Sequence, residues 1–463
     1  MGAVPERNAA MPIQSASRED ARAAVAELGH FAAGLRFSDV QQPERDALDL
    51  VLLDTLGVMV AGSRTPEYRS LLAASGRSGV GPVRPRGTDV HLPVETAAYL
   101  DGTAACMLEL DEGNKHARGH PAAHAVPAVL ALAAIEDVSA EQMLEAILVG
   151  HEIASRFGRS VRLRGGFHPH GNWGVTGAAA AAAKLLGCNA DGIAGAIDAA
   201  AGLALATPFD AALEGTFVRN TWIGLAAVSG IQAARLAHAG LASNDGTAAT
   251  TFGALMGTLD TPALTHDLGE RFDVGLGYLK LHASCSFTHP PIDAVLTLAQ
   301  LHGIDPDRVV DVEVRTHRSA AQLGRIMPQT RLAAMFSIPH LVAVSLRTGR
   351  VDVDASGIDR RDDPTVQELA RRVRVVHEPK HDLRAPAERP AEVTITLEGG
   401  QAVTCAVPNP VGDADHRPLD RGAVIEKLVP LIGDGTVHGI IGGIGGIRQD
   451  PGRPAREVLA ALP

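Results

Sequence analysis

The chain has 463 residues with 42 basic and 53 acidic side chains, a formal net charge of -11 and no sustained basic run, which excludes the gathered Lys/Arg face that nucleic-acid binding requires. Hydrophobic residues make up 46% and aromatics only 3%, so the core must be gathered from many small side chains, by close helix packing or with a partner subunit. Cys106, Cys188, Cys285 and Cys405 form no CxxC pair and read as reduced thiols of a cytoplasmic, soluble protein, and the apolar runs Ala178–Leu186 and Ala199–Ala212 fall short of the ~20 residues of a membrane helix.

Residues 1–15 lack a signal-peptide pattern and read as a disordered N-terminus. Ser17-x-x-Asp20 then caps a first predicted helix that runs to Gly34. A second begins after Pro43, places Leu48, Leu52, Leu56 and Met59 on one face, and ends near Gly62. Further helices are predicted over Val94–Leu110, from Pro121, over Ala140–Gly158 with Ser139 as cap, and over Gly174–Leu186, Ala190–Ala204 and Thr221–Ala239. No segment before about residue 270 alternates with a period of two, so the first part reads as all helical. The pattern then changes. Val309–Thr316 and Arg372–His377 alternate as strands, and Glu392–Leu397 with Gln401–Ala406 form a hairpin around Glu398-Gly399-Gly400. Helices over Ile292–His302, Phe336–Thr348 and Val366–Arg371 complete an α+β unit. The tail is helical over Leu419–Ile432 and Pro454–Leu462, with the glycine run Gly439–Gly446 between them read as close packing or a mobile loop; it has neither the lysine of a phosphate loop nor a βα setting.

Four segments carry candidate chemistry. Residues 109–124 set Glu109, Asp111 and Glu112 before Asn114, His116, His120 and His124, with Gly113 and Gly119 implying a loop. Pro121 would start the next helix and put His120 at its N-terminus, where amides and dipole favour a bound carboxylate and a neutral imidazole. His116, His120 and His124 stand four apart, but Gly119 and Pro121 interrupt a common helical face, so no metal site is assigned. The second segment is the glycine-rich turn of residues 164–174, which carries His168. The third places Arg219 before a small-residue helix, as a fork for a carboxylate. The fourth, residues 278–290, holds Lys280, His282 and Cys285 where the helical and α+β parts meet, a common place for a cleft.

These segments resemble the MmgE/PrpD family. The similarity runs through LLDTLGVMVAG (52–62), LELDEGNKHARGHPAAHAVPAVLALA (108–133), GFHPHGNWGVTGAAAAAAKLLG (166–187), EGTFVRNTWIG (214–224), KLHASCSFTHPPIDA (280–294) and MFSIPHLVA (335–343). The resemblance implies a mostly α fold: a large all-helical domain of residues 16–275 and 410–463, and a smaller α+β lid domain of residues 276–409. It also implies a homodimer, and a cofactor-free site between the domains for a small polycarboxylate. The resemblance makes His120 and His168 the active-site histidines and Lys280 the lysine before the lid, while the acidic cluster matches the family pattern imperfectly. The residues themselves offer Asp111 or Glu112 to orient a histidine and Arg219 with Lys280 to hold carboxylates, with Glu109 and Asn114 as further substrate-binding candidates and Cys285, His116 and His282 as possibilities. The family's reactions include dehydration of 2-methylcitrate, decarboxylation of cis-aconitate and epimerisation of iminodisuccinate. Arg219 stands where decarboxylase-like members have lysine, and Cys285 where they have histidine. The Cys285 departure lowers the case for decarboxylation and weakens direct transfer of the methylcitrate activity; the expected reading is a hydro-lyase (dehydratase or hydratase) on a hydroxy di- or tricarboxylate, with an epimerase or isomerase, a decarboxylase and a noncatalytic binding protein as alternatives. In each enzyme reading a histidine moves the proton while fixed cations steady the anion.

Overall fold

The computed structural model describes residues 16–463, so the expected disorder of residues 1–15 lies outside the described residues. Helices Arg18–Gly34, Gln42–Gly62, Val94–Cys106, Pro121–Ala133, Ala140–Ser160, Gly174–Leu185, Ala190–Ala201 and Val218–His238 build the larger part. Ser17 caps the first through the Asp20 amide, and Ser139 with Gln142 forms a capping box on the fifth.

The alanine and glycine content explains how these helices gather enough buried surface. Ala178 to Ala183 are all buried in one helix. A Cβ at Gly177 would lie 2.2 Å from the Gly150 carbonyl oxygen, so the helices bearing these two glycines touch backbone to backbone. Packing that close brings many short side chains into contact and compensates for the scarcity of large ones.

The structure departs from the sequence reading in this part: short helices at Pro66–Ser75, Asp210–Glu214 and Thr261–Thr265 are not among the predicted ones. A small antiparallel pair, β1 (Val161–Leu163) and β2 (Gly257–Leu259), interrupts the helices. Three residues per strand is too short for alternation to register. The Val94 helix also stops at Cys106 rather than Leu110, which releases Glu109 to a left-handed φ of 51°.

The lid is a four-stranded sheet in the order β4-β3-β5-β6, with β3 Val309–Thr316, β4 Val373–His377, β5 Ala391–Leu397 and β6 Ala402–Val407. β3 runs parallel to β4 and antiparallel to β5, and β5 pairs antiparallel with β6. Val312, Val314, Val393 and Ile395 point into a core shared with helices His289–His302 and Ile338–Thr348. β6 alternates between partly buried and exposed positions, as expected at an edge.

The tail returns to the helical core: Leu419, Val424, Leu428, Val437, Ile440, Val458 and Leu459 join the same apolar cluster as the N-terminal helices. The glycine run is not a loop but part of a helix, Asp434–Gln449. Val437, Ile440, Ile444 and Ile447 recur at helical spacing and are buried, and this stripe overrides a glycine cost of about 1 kcal/mol per residue.

The chain crosses between domains twice, near residues 278 and 412, and the crossings are tied together. The Leu279 amide donates to the Gly412 carbonyl at 3.0 Å, and Tyr278 bridges to both Gly113 and Asp413. No described helix is long and apolar enough to cross a membrane.

Candidate active site

A cavity of about 390 Å³ lies where the domains meet, lined from the helical side by Glu109, His120, His168 and Arg219 and from the lid side by Cys285, Ser286, Phe336 and Arg389, among others. Its charged lining is mainly cationic: Lys115, Arg118, Arg164, Arg219 and Arg389 against Glu109 and Asp210. A polyanion would find the local field favourable despite the negative total charge.

The 109–124 loop forms because Gly113 lies against Tyr278: an added Cβ would stand 2.4 Å from the ring. Asn114 closes the turn, accepting from the amides of His116 and Ala117 and donating to the Asp273 carbonyl. Its oxygen is thereby filled by two amides and one of its two N–H donors is used, so Asn114 fixes the turn in the cavity wall. Glu112 is also placed differently from expectation. Its Oε2 accepts from the Ala122 amide at 3.1 Å and its Oε1 lies 3.2 Å from His151 Nε2. The helix N-terminus expected to bind a substrate carboxylate is thus capped by the protein's own, and Glu112 does not line the cavity.

His120 precedes Pro121 and lines the cavity. Its Nδ1 lies 2.7 Å from the Glu112 carbonyl and 2.9 Å from Asp111 Oδ2. The carbonyl is the aligned acceptor and Asp111 acts mainly through its charge. Two acceptors at Nδ1 fix the proton there and leave Nε2 as the reactive nitrogen. Burial would push the Asp111 carboxyl up, but His120 and Lys280 more than offset this and hold it well below the usual carboxylate range.

Behind that wall Lys280 donates to Asp111 at 3.1 Å and to Glu109 at 3.3 Å, while Arg219 pairs with Glu109. Burial opposes both cations, yet Asp111 and Glu109 beside Lys280, and Glu109 beside Arg219, keep them more firmly protonated than usual. Arg219 lines the cavity and stands 5.2 Å over the Phe336 ring of the lid; Lys280 does not line it. Lys280 is therefore placed as a counter-charge to two carboxylates.

His168 Nδ1 accepts the His170 amide at 3.1 Å, so in the neutral ring Nε2 carries the proton. Burial, and then Arg219 nearby, hold His168 and His170 well below the ordinary histidine range. His124 joins the two histidine loops: its Nδ1 is 2.8 Å from the His120 carbonyl and its Nε2 accepts the Gly171 amide. Cys285 lines the cavity with its thiol pushed up to about 11 by burial, hence neutral near pH 7. The other two possibilities lie off the cavity: His116 is half-buried in the loop, and His282 sits 2.9 Å from Asp293, whose other oxygen takes the Val411 amide.

Two neighbours were not selected from sequence. His170 packs edge-on to both His120 and His168, with ring centroids 4.8 and 4.4 Å away; the repeated His-Pro-His was its only local sign. Arg389 reaches the site through tertiary structure, and nothing adjacent to it in sequence marks it. Asp111, His120 and His170 offer ligand atoms within 4.8 Å of one another, as a metal site would. Lys280, 3.1 Å from Asp111, and Arg219, 3.5 Å from His170, put two fixed cations against that group and oppose a divalent ion.

The MmgE/PrpD N-terminal domain matches residues 26–266, and the MmgE/PrpD C-terminal domain matches residues 282–436. The chain belongs to the MmgE/PrpD family. Among its relatives is a cis-aconitate decarboxylase of Aspergillus terreus (strain NIH 2624 / FGSC A1156), 25% identical over 464 aligned positions that cover 92% of each chain. Cis-aconitate decarboxylases of Mus musculus and Homo sapiens are each 27% identical, over 76% of this chain and 75% and 76% of their own. The C-terminal family domain ends at residue 436, inside the tail that packs on the MmgE/PrpD helical core, so the family boundary and the packing boundary differ.

The buried histidines set an acid limit on stability. His124 is pushed down to about 4 by burial, His317 to about 4 by burial and then Arg389, and burial also holds His168, His170 and His289 well below the ordinary histidine range. Below about pH 6.5 the unfolded chain takes up protons at these positions and the folded chain does not, so their contribution is complete above that pH and declines beneath it. His151 works the other way: burial lowers it, but the hydrogen bond and charge of Glu112 together with the charges of Glu152 and Asp273 more than offset this and raise it. With His116 and His340 also lowered, seven histidines stand against His151 and Asp101, whose carboxyl burial raises to about 7, and this predicts a urea midpoint that falls between pH 7 and pH 5; a constant or rising midpoint would contradict the neutral histidine cluster.

Proposed function

We propose that the chain is a lyase whose own side chains remove carbon dioxide from a small unsaturated tricarboxylate of the cis-aconitate type. The observation that carries this reading is the placement of His120: one cavity-lining imidazole, held at Nδ1 and backed by Asp111, whose imidazolium form carries at Nε2 the second proton that it delivers. Allylic decarboxylation needs one such donor. The C–C bond to the departing carboxylate breaks, its electron pair becomes a new C=C bond, and the old π pair takes the proton from His120 at the far alkene carbon. The products are carbon dioxide and an unsaturated dicarboxylate, and solvent reprotonates His120. Arg219 holds a carboxylate that stays, and neutral His168 donates a hydrogen bond from Nε2. The names of the relatives support the same reading.

A second reading, dehydration of a hydroxy tricarboxylate, is favoured by Cys285. A neutral thiol stands in the cavity where the family resemblance places histidine in the decarboxylating members. Here neutral His120 would take a carbon-bound proton at Nε2 and return it to the leaving hydroxyl, which departs as water, while neutral His168 donates a hydrogen bond to that oxygen from Nε2. Proton NMR in deuterium oxide with cis-aconitate, citrate, 2-methylcitrate and iminodisuccinate separates these chemistries. The expected result is loss of carbon dioxide from cis-aconitate and one deuterium in the new CH₂ group. Turnover of a hydroxy acid with every carbon retained would replace the first reading with the second. Inversion with deuterium uptake and no change in formula would indicate epimerisation.

A further inference from the structure

Arg389 belongs to the lid, immediately before β5, and lines the cavity although its side chain is more than nine-tenths buried. Its guanidinium stacks 4.3 Å from the centre of the Tyr278 ring, and Nη1 donates to Ser286 Oγ at 3.1 Å. The nearest carboxylate is Asp413, but Asp413 Oδ1 is taken by Lys115 at 2.8 Å and Oδ2 stands 3.6 Å from Arg389 Nη2, beyond hydrogen-bond reach. Nε and Nη2 of Arg389 are consequently buried without an aligned acceptor among the described residues. These two nitrogens form the side edge of the guanidinium, the edge that grips a carboxylate through parallel hydrogen bonds. A buried donor pair of this kind calls for an acceptor.

We infer that Arg389 is a specificity-determining residue, the lid's holder for a second substrate carboxylate, while Arg219 holds the first from the helical domain. The site then selects acids bearing at least two carboxylates, and the substrate itself links lid to core. This inference rests on the polycarboxylate reading above and adds the residue that enforces it. Arg389 is a binding residue here; no proton or bond change passes through it.

The test is equilibrium binding of three unreactive saturated acids, propane-1,2,3-tricarboxylate, glutarate and butyrate, to the full chain and to its Arg389→Gln and Arg389→Lys variants. Arg389→Gln is expected to weaken the tricarboxylate and glutarate by about 10- to 100-fold and to leave butyrate, held by Arg219, within about threefold. Arg389→Lys keeps the charge above Tyr278 but loses the fork. It should show the same selectivity at smaller size, and it carries the test if the glutamine variant does not fold. Equal weakening of all three acids, or of none, would overturn the inference while leaving turnover of cis-aconitate by the unmodified chain, and so the lyase reading, intact. An unmodified chain that binds none of the acids and turns over no polycarboxylate overturns both.

Discussion

Replacing His120 with glutamine is expected to lower kcat by about 10²- to 10⁴-fold, the range of a positioned general acid or base, with KM and thermal stability little altered. Glutamine can still donate one hydrogen bond toward the Glu112 carbonyl, and Asp111 keeps Lys280 as its partner at 3.1 Å, so the surrounding charge network survives. What is lost is a group able to release a proton at the cavity face. Steady-state kinetics on whichever polycarboxylate the chain consumes would check this. A variant within threefold of the parent would remove His120 from proton transfer and leave His168 to carry it.

The second large effect concerns folding. Lys280→Met would leave Glu109 and Asp111 buried with one cation fewer between them. Removing one partner of a buried ionic group costs about 3–5 kcal/mol, because the remaining charge has neither water nor a counter-ion. The expected result is a large fall in the urea midpoint, partly restored when Glu109→Gln is added, since the double change removes a charge of each sign. Surface pairs offer the contrast: Arg350 with Asp352 is largely exposed, and breaking it should be within about 1 kcal/mol. A Lys280→Met protein as stable as the parent would mean that Arg219 and His120 already neutralise both carboxylates.

Much of the site could be read from the chain because its parts are local. Pro121 fixes where a helix begins, which places His120, and glycines at 113 and 119 force the loop that presents it. The roles within that loop could not be read, because they depend on partners far away in sequence. Glu112 looks catalytic beside Asp111 until His151 and the Ala122 amide are brought to it. Lys280 looks like a substrate ligand until Glu109 and Asp111 surround it. Arg389, 103 residues from Ser286, is invisible without the lid's sheet. For the fold, alternation found the four long strands but not the three-residue pair at 161 and 257. Composition hid the Asp434–Gln449 helix, whose buried isoleucines were outnumbered in the reading by glycines.

The paired crossings at Leu279 and Gly412 have a consequence beyond the site. Where a polypeptide leaves one body and re-enters it at hydrogen-bonded neighbours, the excursion between them is topologically an insert: its ends already meet, and a short turn could rejoin them. The cavity-lining histidines His120 and His168 lie on the uninterrupted side of that junction, whereas Cys285, Ser286, Phe336 and Arg389 come with the excursion. Substitutions confined to the insert therefore reshape one wall of the cavity and leave the histidine-bearing wall as it is.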